Sequence, residues 1–319
     1  MAGVILAASM TLGWCSFAIW LGPRIGYLDQ PDDPSLKAHE RPAVPLGGVG
    51  IFLGIHLAAL LRGGVMWPLL AASAMVLVLG QIDDRRGVAP SIRLGVETLA
   101  ALVLVLGGSS DGEGALLLLM GVVLVVLAIN AVNLLDGLDG LAGSAAIVAS
   151  LGVAWLAAGR GLAAPAAFEL GAALAGFLIL NWHPARVFLG DAGAYVVGLV
   201  LAYVMLESSS GGALELVIAG ALLGVFALDL IVTLLRRRLN GRPLFIGDRG
   251  HVYDQLRDRG TSVRAIAIIV AASQGALVVA VIGADRLLTP WQSLAGLGLL
   301  LIVLIVWLTR SGFIRDETP

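Results

Sequence analysis

The sequence has 319 residues, of which 59% are hydrophobic and only 13% are charged, and its mean hydropathy is +0.96. About a quarter of the residues in soluble domains are charged, so this composition excludes that class and predicts many membrane-spanning helices rather than one anchor. The net charge of −2 gives no sign of a nucleic-acid partner, and the single cysteine, Cys15, excludes an internal disulfide.

Apolar segments follow one another along the whole chain. We expect an all-α polytopic integral membrane protein, a single domain over residues 1–319 with about 10–11 transmembrane helices. Several segments are shorter than the roughly 20 residues that cross a bilayer, so short or broken helices are expected among them. The predicted spans are 2–22, 45–61, 65–82, 93–106, 115–129, 140–159, 166–181, 193–206, 213–235, 263–283 and 291–309.

The basic residues lie mostly on one side of these spans. If the N-terminus is outside, 17 of the 20 lysines and arginines fall in loops of the other side, and only Arg62, Arg160 and Arg286 remain outside. The positive-inside rule therefore predicts a cytoplasmic C-terminus and a large basic cytoplasmic loop at 236–262. Arg236–Arg238, at the start of this loop, are typical of a cluster that ends a span and binds lipid headgroups.

Five aspartates are predicted at the cytoplasmic ends of spans: Asp83, Asp84, Asp136, Asp139 and Asp191. Like charges repel, so their convergence on one face is tolerable mainly if a cation lies among them. Sites built only from oxygen ligands favour Mg²⁺ or Mn²⁺, and the sequence lacks the Cys/His spacing of a zinc site. Mg²⁺ usually completes its shell with water and substrate phosphates, which predicts a phosphorylated substrate.

Two glycine-rich motifs place these aspartates on irregular backbone. In "NLLDGLDG", Asn133, Asp136 and Asp139 recur every three residues at a predicted helix end and would share one flank in helical form. In "LGDAG", Asp191 is predicted on a turn just before a helix, where a rigid carboxylate suits metal binding.

The basic loop contains candidates for substrate contact. Arg249 and His251 in "DRGHVYD" are equally consistent with contact to a phosphate or base and with a structural role. Asn181, in "NWHPARVFLGDAG", is also a candidate substrate-binding residue. His183 is more typical of an interfacial side chain, and we do not include it in the predicted site.

At these residues the sequence resembles the polyprenyl-phosphate N-acetylhexosamine-1-phosphate transferases, integral membrane enzymes of bacterial glycan assembly and of protein N-glycosylation. The likeness covers about residues 24–260, and the third of its four blocks is specific by itself. The blocks are "YLDQPDDPSLKAHERPAVPLGGVGIF", "GQIDDRRGVAPSIRL", "NAVNLLDGLDGLAG" and "VFLGDAG".

The resemblance implies a Mg²⁺-dependent reaction at the cytoplasmic face of the bacterial inner membrane. Polyprenyl (undecaprenyl) phosphate attacks the β-phosphate of a UDP-N-acetylhexosamine, giving polyprenyl-diphospho-sugar and releasing UMP. Positioning and charge neutralisation suffice for such phosphoryl transfer. The resemblance also allows a homodimer and substitution of Mn²⁺ for Mg²⁺.

The resemblance further implies a role for each matching residue. Asp191 would be the principal metal ligand, and Asn133 and Asp136 would contact the metal or the diphosphate. Asp83 and Asp84 would orient the polyprenyl phosphate, with Asp83 a candidate base. The nucleotide side would involve Asp139, and supporting substrate contacts would come from Lys37, His39 and Arg93.

Two departures from the family pattern bear on the donor sugar. Many relatives carry His-x-His-His where this chain has "HVYD", so only His251 is retained, and Arg93 stands near where relatives often place a lysine. The single histidine is similar to the branch that initiates O-antigen or related surface polysaccharides. The most favoured donor is therefore UDP-GlcNAc, with UDP-FucNAc, UDP-QuiNAc and UDP-MurNAc-pentapeptide as alternatives.

Two other classes are remote alternatives. An intramembrane aspartyl protease needs two aspartates that share a proton within the membrane, whereas these aspartates lie at loop boundaries among arginines. A secondary transporter should show inverted repeats and ionisable residues near the midplane. No repeat is evident, and the spans hold few mid-membrane charges, at most Glu97, Glu169 and Asp229.

Overall fold

The computed structural model of the protein describes residues 1–30, 41–108, 114–209, 212–243 and 249–314. Within these ranges the chain is helical, and its extended pairing is confined to two isolated bridges, Asp29 with Ala43 and Val44 with Val187. The predicted substrate contacts Lys37 and His39 lie outside the described residues.

Thirteen α-helices are present in the described ranges, joined mostly by short turns. The bounds are α1 Ala2–Leu21, α2 Gly47–Leu61, α3 Trp67–Arg86, α4 Pro90–Gly108, α5 Ala115–Leu135, α6 Leu141–Gly159, α7 Pro165–Asn181, α8 Gly190–Ser208, α9 Ala213–Gly220, α10 Gly224–Leu239, α11 Val252–Asp258, α12 Val263–Leu287 and α13 Pro290–Arg310.

Eight helical stretches in the described chain are long and apolar enough to cross a membrane. They are α1 with the 3-10 turn after it, α4, α5, α6, α8, α9 together with α10, α12 and α13. The remaining three predicted spans correspond to the shorter apolar helices α2 and α7 and to α3, whose last turn is charged. The protein is therefore an all-helical polytopic membrane protein, as predicted.

Several helices extend further into polar sequence than predicted. The third span was expected to end at residue 82 and the fifth at 129, but α3 continues to Arg86 and α5 to Leu135. The polar side chains in these added turns have partners in neighbouring helices: Asn133 bonds Asp191, and Asp83 bonds Tyr195. This extension is what makes Asn133 and the aspartate pair of α3 part of rigid helix ends.

Helix α8 lies at the centre of the bundle and is buried along most of its length. Its first turn contacts α2 and α3 backbone to backbone: a Cβ on Gly48 would lie 2.3 Å from Cα of Gly193, and one on Gly80 would lie 2.2 Å from Cα of Ala192. The glycine-rich face of α2 is therefore a packing surface within the chain.

The ninth predicted span is one stretch with a break. A 3-10 turn, Ala221–Leu223, separates α9 from α10 and is flanked by Gly220 and Gly224. Helix α10 carries Asp229 in its second turn and Arg236–Arg238 at its C-terminal end.

Charged side chains gather at the two opposite ends of the bundle. At one end Arg62 donates hydrogen bonds to both carboxylate oxygens of Glu169. At the same end Nη2 of Arg160 lies 2.7 Å from Oδ1 of Asp285. The predicted aspartates lie at the other end, which we call the acidic end.

Candidate active site at the acidic end

Asp84, in the last turn of α3, meets the N-terminus of α8. Its Oδ1 accepts a hydrogen bond from the backbone N–H of Asp191 at 2.8 Å, and its Oδ2 accepts one from Ala192 at 3.4 Å. The first N–H groups of a helix have no partner within the helix, and a carboxylate there also favours the helix dipole. Asp84 therefore ties α3 to α8 at the site.

Asp191 is the second residue of α8, rather than on the preceding turn as predicted. Gly190 before it has φ +71°, and a Cβ at that residue would lie 2.8 Å from Oδ2 of Asp84, so glycine is required there. The Asp191 carboxylate accepts a hydrogen bond at Oδ1 from Nδ2 of Asn133, 2.7 Å away at the end of α5. The structure thus brings together the two predicted metal ligands.

Asp136 directly follows α5 and is half-buried. Its carboxylate has no hydrogen bond or ion pair among the described residues. Burial, followed by the charges of Asp191, Asp84 and Asp139, raises the pKa of Asp136 well above its usual value. Of the predicted aspartates, this one is the least satisfied by protein groups, which is the state expected of a ligand-binding carboxylate.

Asp139 is held by a segment that the sequence analysis left out of the site. Its Oδ2 lies 2.7 Å from Nδ1 of His183 and accepts a hydrogen bond from the N–H of Ala185 at 3.0 Å. Asn133, Asp136 and Asp139 do not share a helix flank, because α5 ends at Leu135 and Asp139 lies in the following turn. The turn directs Asp139 towards the segment after α7.

Asn181 joins the same two segments. Its Oδ1 accepts from the N–H of Gly140, whose φ is +75°, at 2.9 Å, and its Nδ2 donates to the carbonyl of Val187 at 2.9 Å. Both ends of the amide are therefore engaged inside the protein, so a substrate contact would require one of these bonds to be exchanged. The predicted substrate role of Asn181 stays a prediction.

Asp83 lies beside Asp84 but faces a different set of partners. Its Oδ1 accepts from the N–H of Val88 at 2.7 Å, and its Oδ2 accepts from the Tyr195 hydroxyl at 2.7 Å and from Nη1 of Arg93 at 3.2 Å. Asp83 and the predicted substrate residue Arg93 are thus an ion pair.

His251 forms a buried pair with α10. Its Nδ1 lies 2.7 Å from Oδ2 of Asp229 and 3.1 Å from the Thr233 hydroxyl. Burial lowers the pKa of His251, but the hydrogen bond with Asp229 and the charges of Asp229 and Asp254 outweigh that effect, and the pKa is raised. The ring is consequently fixed in place and favours the protonated form.

Tyr253 connects this region to the turn after α5. Its ring stacks on His251 with centroids 5.1 Å apart, and its hydroxyl donates to the carbonyl of Leu134 at 3.0 Å. A Cβ on Gly137 would lie 2.1 Å from that hydroxyl. Helix α11 therefore packs, through Tyr253, directly against the motif that carries Asp136.

The predicted roles of the basic residues are partly wrong. Arg236 and Arg237 are buried, with 1% and 4% of their surface exposed, so they do not lie among lipid headgroups; Arg238 is exposed. Gly250 lies against the Arg236 guanidinium, and this contact contributes to the burial of Arg236. Arg249 lies 3.8 Å from Asp254 and 3.6 Å from Asp258.

No group of three or more His, Cys, Asp or Glu side chains in the described part of the chain is arranged to hold a metal ion. The residues that fit a cation best are Asp136, whose carboxylate has no protein donor among the described residues, and Asp191, whose Oδ2 accepts no hydrogen bond from them. Two carboxylates with water and substrate phosphates are a usual environment for Mg²⁺.

Sequence reasoning missed four site residues: His183, Tyr195, Asp229 and Tyr253. Tyr195 follows Asp191 by four residues, which places both on one face of α8, so helical spacing could have indicated it. Asp229 was noted only as a charge within a span, and its pairing with His251 joins residues 22 positions apart, which spacing alone does not reveal. His183 was interpreted as an interfacial side chain, although its position shortly before "GDAG" could have indicated a place in the site.

Known proteins resemble this chain over the region that carries the aspartates. A family model described as glycosyl transferase family 4 matches residues 66–209, which include all five predicted aspartates. A decaprenyl-phosphate N-acetylglucosaminephosphotransferase of Mycobacterium tuberculosis is 30% identical, covering 78% of this chain and 74% of its own length. An undecaprenyl-phosphate alpha-N-acetylglucosaminyl 1-phosphate transferase of Pasteurella multocida is 30% identical, covering 91% and 88%.

A Streptomyces coelicolor protein named as a glycosyltransferase is 33% identical over 77% of this chain, and the chain spans 62% of that relative's length. Fold and site define a polytopic membrane protein with a carboxylate site at the ends of its helices. By its similarity to these relatives, the chain belongs to glycosyl transferase family 4, the family of the polyprenyl-phosphate N-acetylhexosamine-1-phosphate transferases. This membership disfavours the aspartyl protease and the transporter.

Proposed function

We propose that the protein transfers N-acetylhexosamine 1-phosphate, most favourably N-acetylglucosamine 1-phosphate, from a UDP-sugar to polyprenyl phosphate. The observation that carries this proposal is the meeting of Asp84, Asn133 and Asp191, from three different helices, next to the free carboxylate of Asp136. The names of the relatives from M. tuberculosis and P. multocida give transfer of N-acetylglucosamine phosphate to a polyprenyl phosphate for those proteins.

The proposed reaction needs little from the protein beyond alignment and charge neutralisation. An oxygen of the polyprenyl phosphate forms a bond to the β-phosphorus of the donor, and the bond from that phosphorus to the α–β bridging oxygen breaks. UMP leaves with that oxygen. A phosphate monoester is largely ionised at neutral pH, with a second pKa of about 6, so the attacking oxygen needs no strong base.

Asp136 and Asp191 would hold Mg²⁺, or Mn²⁺ in its place, together with phosphate oxygens of the donor. When bound, the cation would neutralise the charge of the diphosphate. Asn133 supports this arrangement by fixing Oδ1 of Asp191, and Asp84 supports it by holding the α8 N-terminus.

The location of the reaction is part of the proposal. The acidic end carries most of the basic residues and would face the cytoplasm of a bacterial inner membrane, with the N-terminus outside. The product would initiate a cell-surface polysaccharide such as O-antigen. Exposed apolar side chains of α12 and α13, among them Ile268, Leu299 and Trp307, suit contact with lipid, and a second copy of the chain is a further candidate partner.

The test is UMP release by the purified full chain with undecaprenyl phosphate and Mg²⁺. The donors would be UDP-GlcNAc, UDP-GalNAc, UDP-FucNAc, UDP-QuiNAc and UDP-MurNAc-pentapeptide. We expect release with UDP-GlcNAc, loss of release in EDTA, and loss in Asp191→Asn. The matched control is Asp285→Asn, an aspartate at the opposite end paired with Arg160, which should retain activity. UMP release with another donor only would mean that the donor sugar is not N-acetylglucosamine. UMP release by Asp191→Asn at the wild-type rate would contradict the assignment of the active site.

A further inference from the structure

Tyr195 is a buried polar residue that none of the roles above uses. It lies on α8 one turn beyond Asp191 and is 1% exposed. Its hydroxyl donates to Oδ2 of Asp83 at 2.7 Å and lies 3.5 Å from Nη1 of Arg93. A buried tyrosine hydroxyl normally has a partner, and here that partner is a carboxylate of the site.

The contacts of Asp83 leave little of its carboxylate for a substrate. The two oxygens have about four acceptor positions, and three are taken by Val88 N–H, Tyr195 O–H and Arg93 Nη1. A general base must offer a lone pair within hydrogen-bond reach of the proton it removes. The geometry therefore fits an anchor for neighbouring cationic groups better than it fits a base.

Arg93 is the group that this anchor orients. Its side chain is 30% exposed, and only Nη1 has hydrogen-bond partners among the described residues. A guanidinium has five N–H donors in a rigid fork that matches the oxygens of a phosphate. With Nη1 held at Asp83, the remaining donors are available to a phosphate that reaches the α3–α4 side of the site.

We propose that Tyr195 is a positioning residue that fixes Asp83, so that Asp83 in turn presents the Arg93 guanidinium to the phosphate of the polyprenyl acceptor. This inference rests on the proposed function for the identity of the acceptor. It differs from the sequence-based expectation that Asp83 is a base, since Asp83 acts here through Arg93.

The first experiment measures binding without turnover. The probe is farnesyl phosphate, added to the detergent-solubilised full chain without donor, and farnesol is the control that lacks the phosphate. We expect Tyr195→Phe to raise the Kd for farnesyl phosphate about tenfold, as for one hydrogen bond to a charged group, and to leave farnesol binding unchanged. Arg93→Gln should weaken farnesyl phosphate binding further.

The matched control is Tyr203→Phe. Tyr203 is also buried on α8 and donates to a carboxylate, that of Glu207, but it lies two turns beyond Tyr195 and contacts Met66 at the opposite end. We expect the Tyr203→Phe variant to bind farnesyl phosphate with the same Kd as the wild type. Equal weakening in Tyr195→Phe and Tyr203→Phe would mean that α8 packing alone is affected, which would overturn the proposal.

The second experiment separates KM from kcat during UMP release. We expect Tyr195→Phe and Asp83→Asn to raise the KM for polyprenyl phosphate, with kcat at saturating acceptor within a few-fold of wild type and the KM for the UDP-sugar unchanged. A fall of kcat by about 100-fold or more in Asp83→Asn at unchanged acceptor KM would identify Asp83 as a base and overturn the inference. Phosphate-dependent binding by a folded wild type that releases no UMP would contradict the proposed reaction and leave this inference standing.

Discussion

The aspartates at the acidic end differ in how much of their hydrogen-bonding capacity the protein already uses. Asp84 and Asp139 each accept two hydrogen bonds or close contacts from protein groups, whereas the carboxylate of Asp136 accepts none among the described residues. A carboxylate satisfied by the protein stabilises the fold, and one surrounded only by like charges destabilises it. We therefore expect removal of the charge of Asp84 or Asp139 to lower the stability of the protein, and removal of the charge of Asp136 to leave it unchanged or raise it.

We expect Asp136→Asn to lower the rate of UMP release by at least about 100-fold, the cost typical of one lost electrostatic contact at a reacting phosphate. The same change should leave the unfolding temperature unchanged or raise it, because it removes repulsion from Asp191 and Asp84. Thermal unfolding and UMP release of the same preparation provide the measurement. A large fall in unfolding temperature would mean that Asp136 has a structural partner.

His251 predicts a pH dependence of stability. Its pKa is raised in the folded protein, so its pairing with Asp229 contributes stability fully below the ordinary histidine pKa of 6.5 and loses it as pH rises through the folded value. The difference in stability between wild type and His251→Gln should therefore shrink as pH increases above 6.5. Chemical unfolding of both proteins across that range checks this, and a difference that grows with pH would contradict the ion pair.

At the scale of elements, the acidic site depends on how closely α8 approaches α2 and α3. The backbone of Gly80 touches Ala192 and that of Gly48 touches Gly193, so the first turn of α8 is packed between two helices without intervening side chains. Asp84 and Asp191 are joined across this contact.

We expect Gly80→Ala to cost about 1–3 kcal/mol of stability, as overpacking does, and to reduce activity by displacing Asp84 from the α8 N-terminus. The control is Gly95→Ala in α4, where an added Cβ would meet nothing within 4 Å and helix propensity should increase stability by about 1 kcal/mol. Unfolding midpoints and UMP release should separate the two variants. Equal unfolding midpoints and equal UMP release in the two variants would show that α3 and α8 can move apart without loss of stability or activity.

Sequence patterns predicted the helices much better than their contacts. The position of every predicted span was reproduced by a helix or helix pair, because apolar length alone determines where a chain can cross a bilayer. The partnership of Asp139 with His183 and that of Asp83 with Tyr195 depend on side chains from distant helices. The burial of Arg236 could not be predicted from the sequence either, because three consecutive arginines after an apolar run usually lie among the lipid headgroups.

At the scale of the whole molecule, the two ends of the bundle have different chemistry. At the acidic end the charges of Asp84, Asp139 and Asp191 act on Asp136, whereas the opposite end has the ion pairs of Arg62 with Glu169 and Arg160 with Asp285 among the described residues. This difference in charge arrangement agrees with a substrate site at one end of the bundle only.

Cysteine labelling tests the orientation. In a Cys15→Ser background, Ala163→Cys places a thiol on an exposed residue at the opposite end, and Asp258→Cys places one on an exposed residue at the acidic end. We expect a membrane-impermeant maleimide to label Ala163→Cys in intact spheroplasts and Asp258→Cys only after permeabilisation. The reverse pattern would place the acidic end outside the cell.

The central claim, that this site transfers a sugar phosphate rather than a sugar, is tested most directly by following the β-phosphorus of the donor. UDP-GlcNAc labelled with ³²P at the β-position would be incubated with the folded full chain, undecaprenyl phosphate and Mg²⁺, and the lipid and aqueous fractions would be counted. We predict that the label moves to the lipid as unlabelled UMP appears, and that Asp191→Asn prevents both. Label that remains in the aqueous fraction as UDP, while the lipid gains the sugar, would contradict the account.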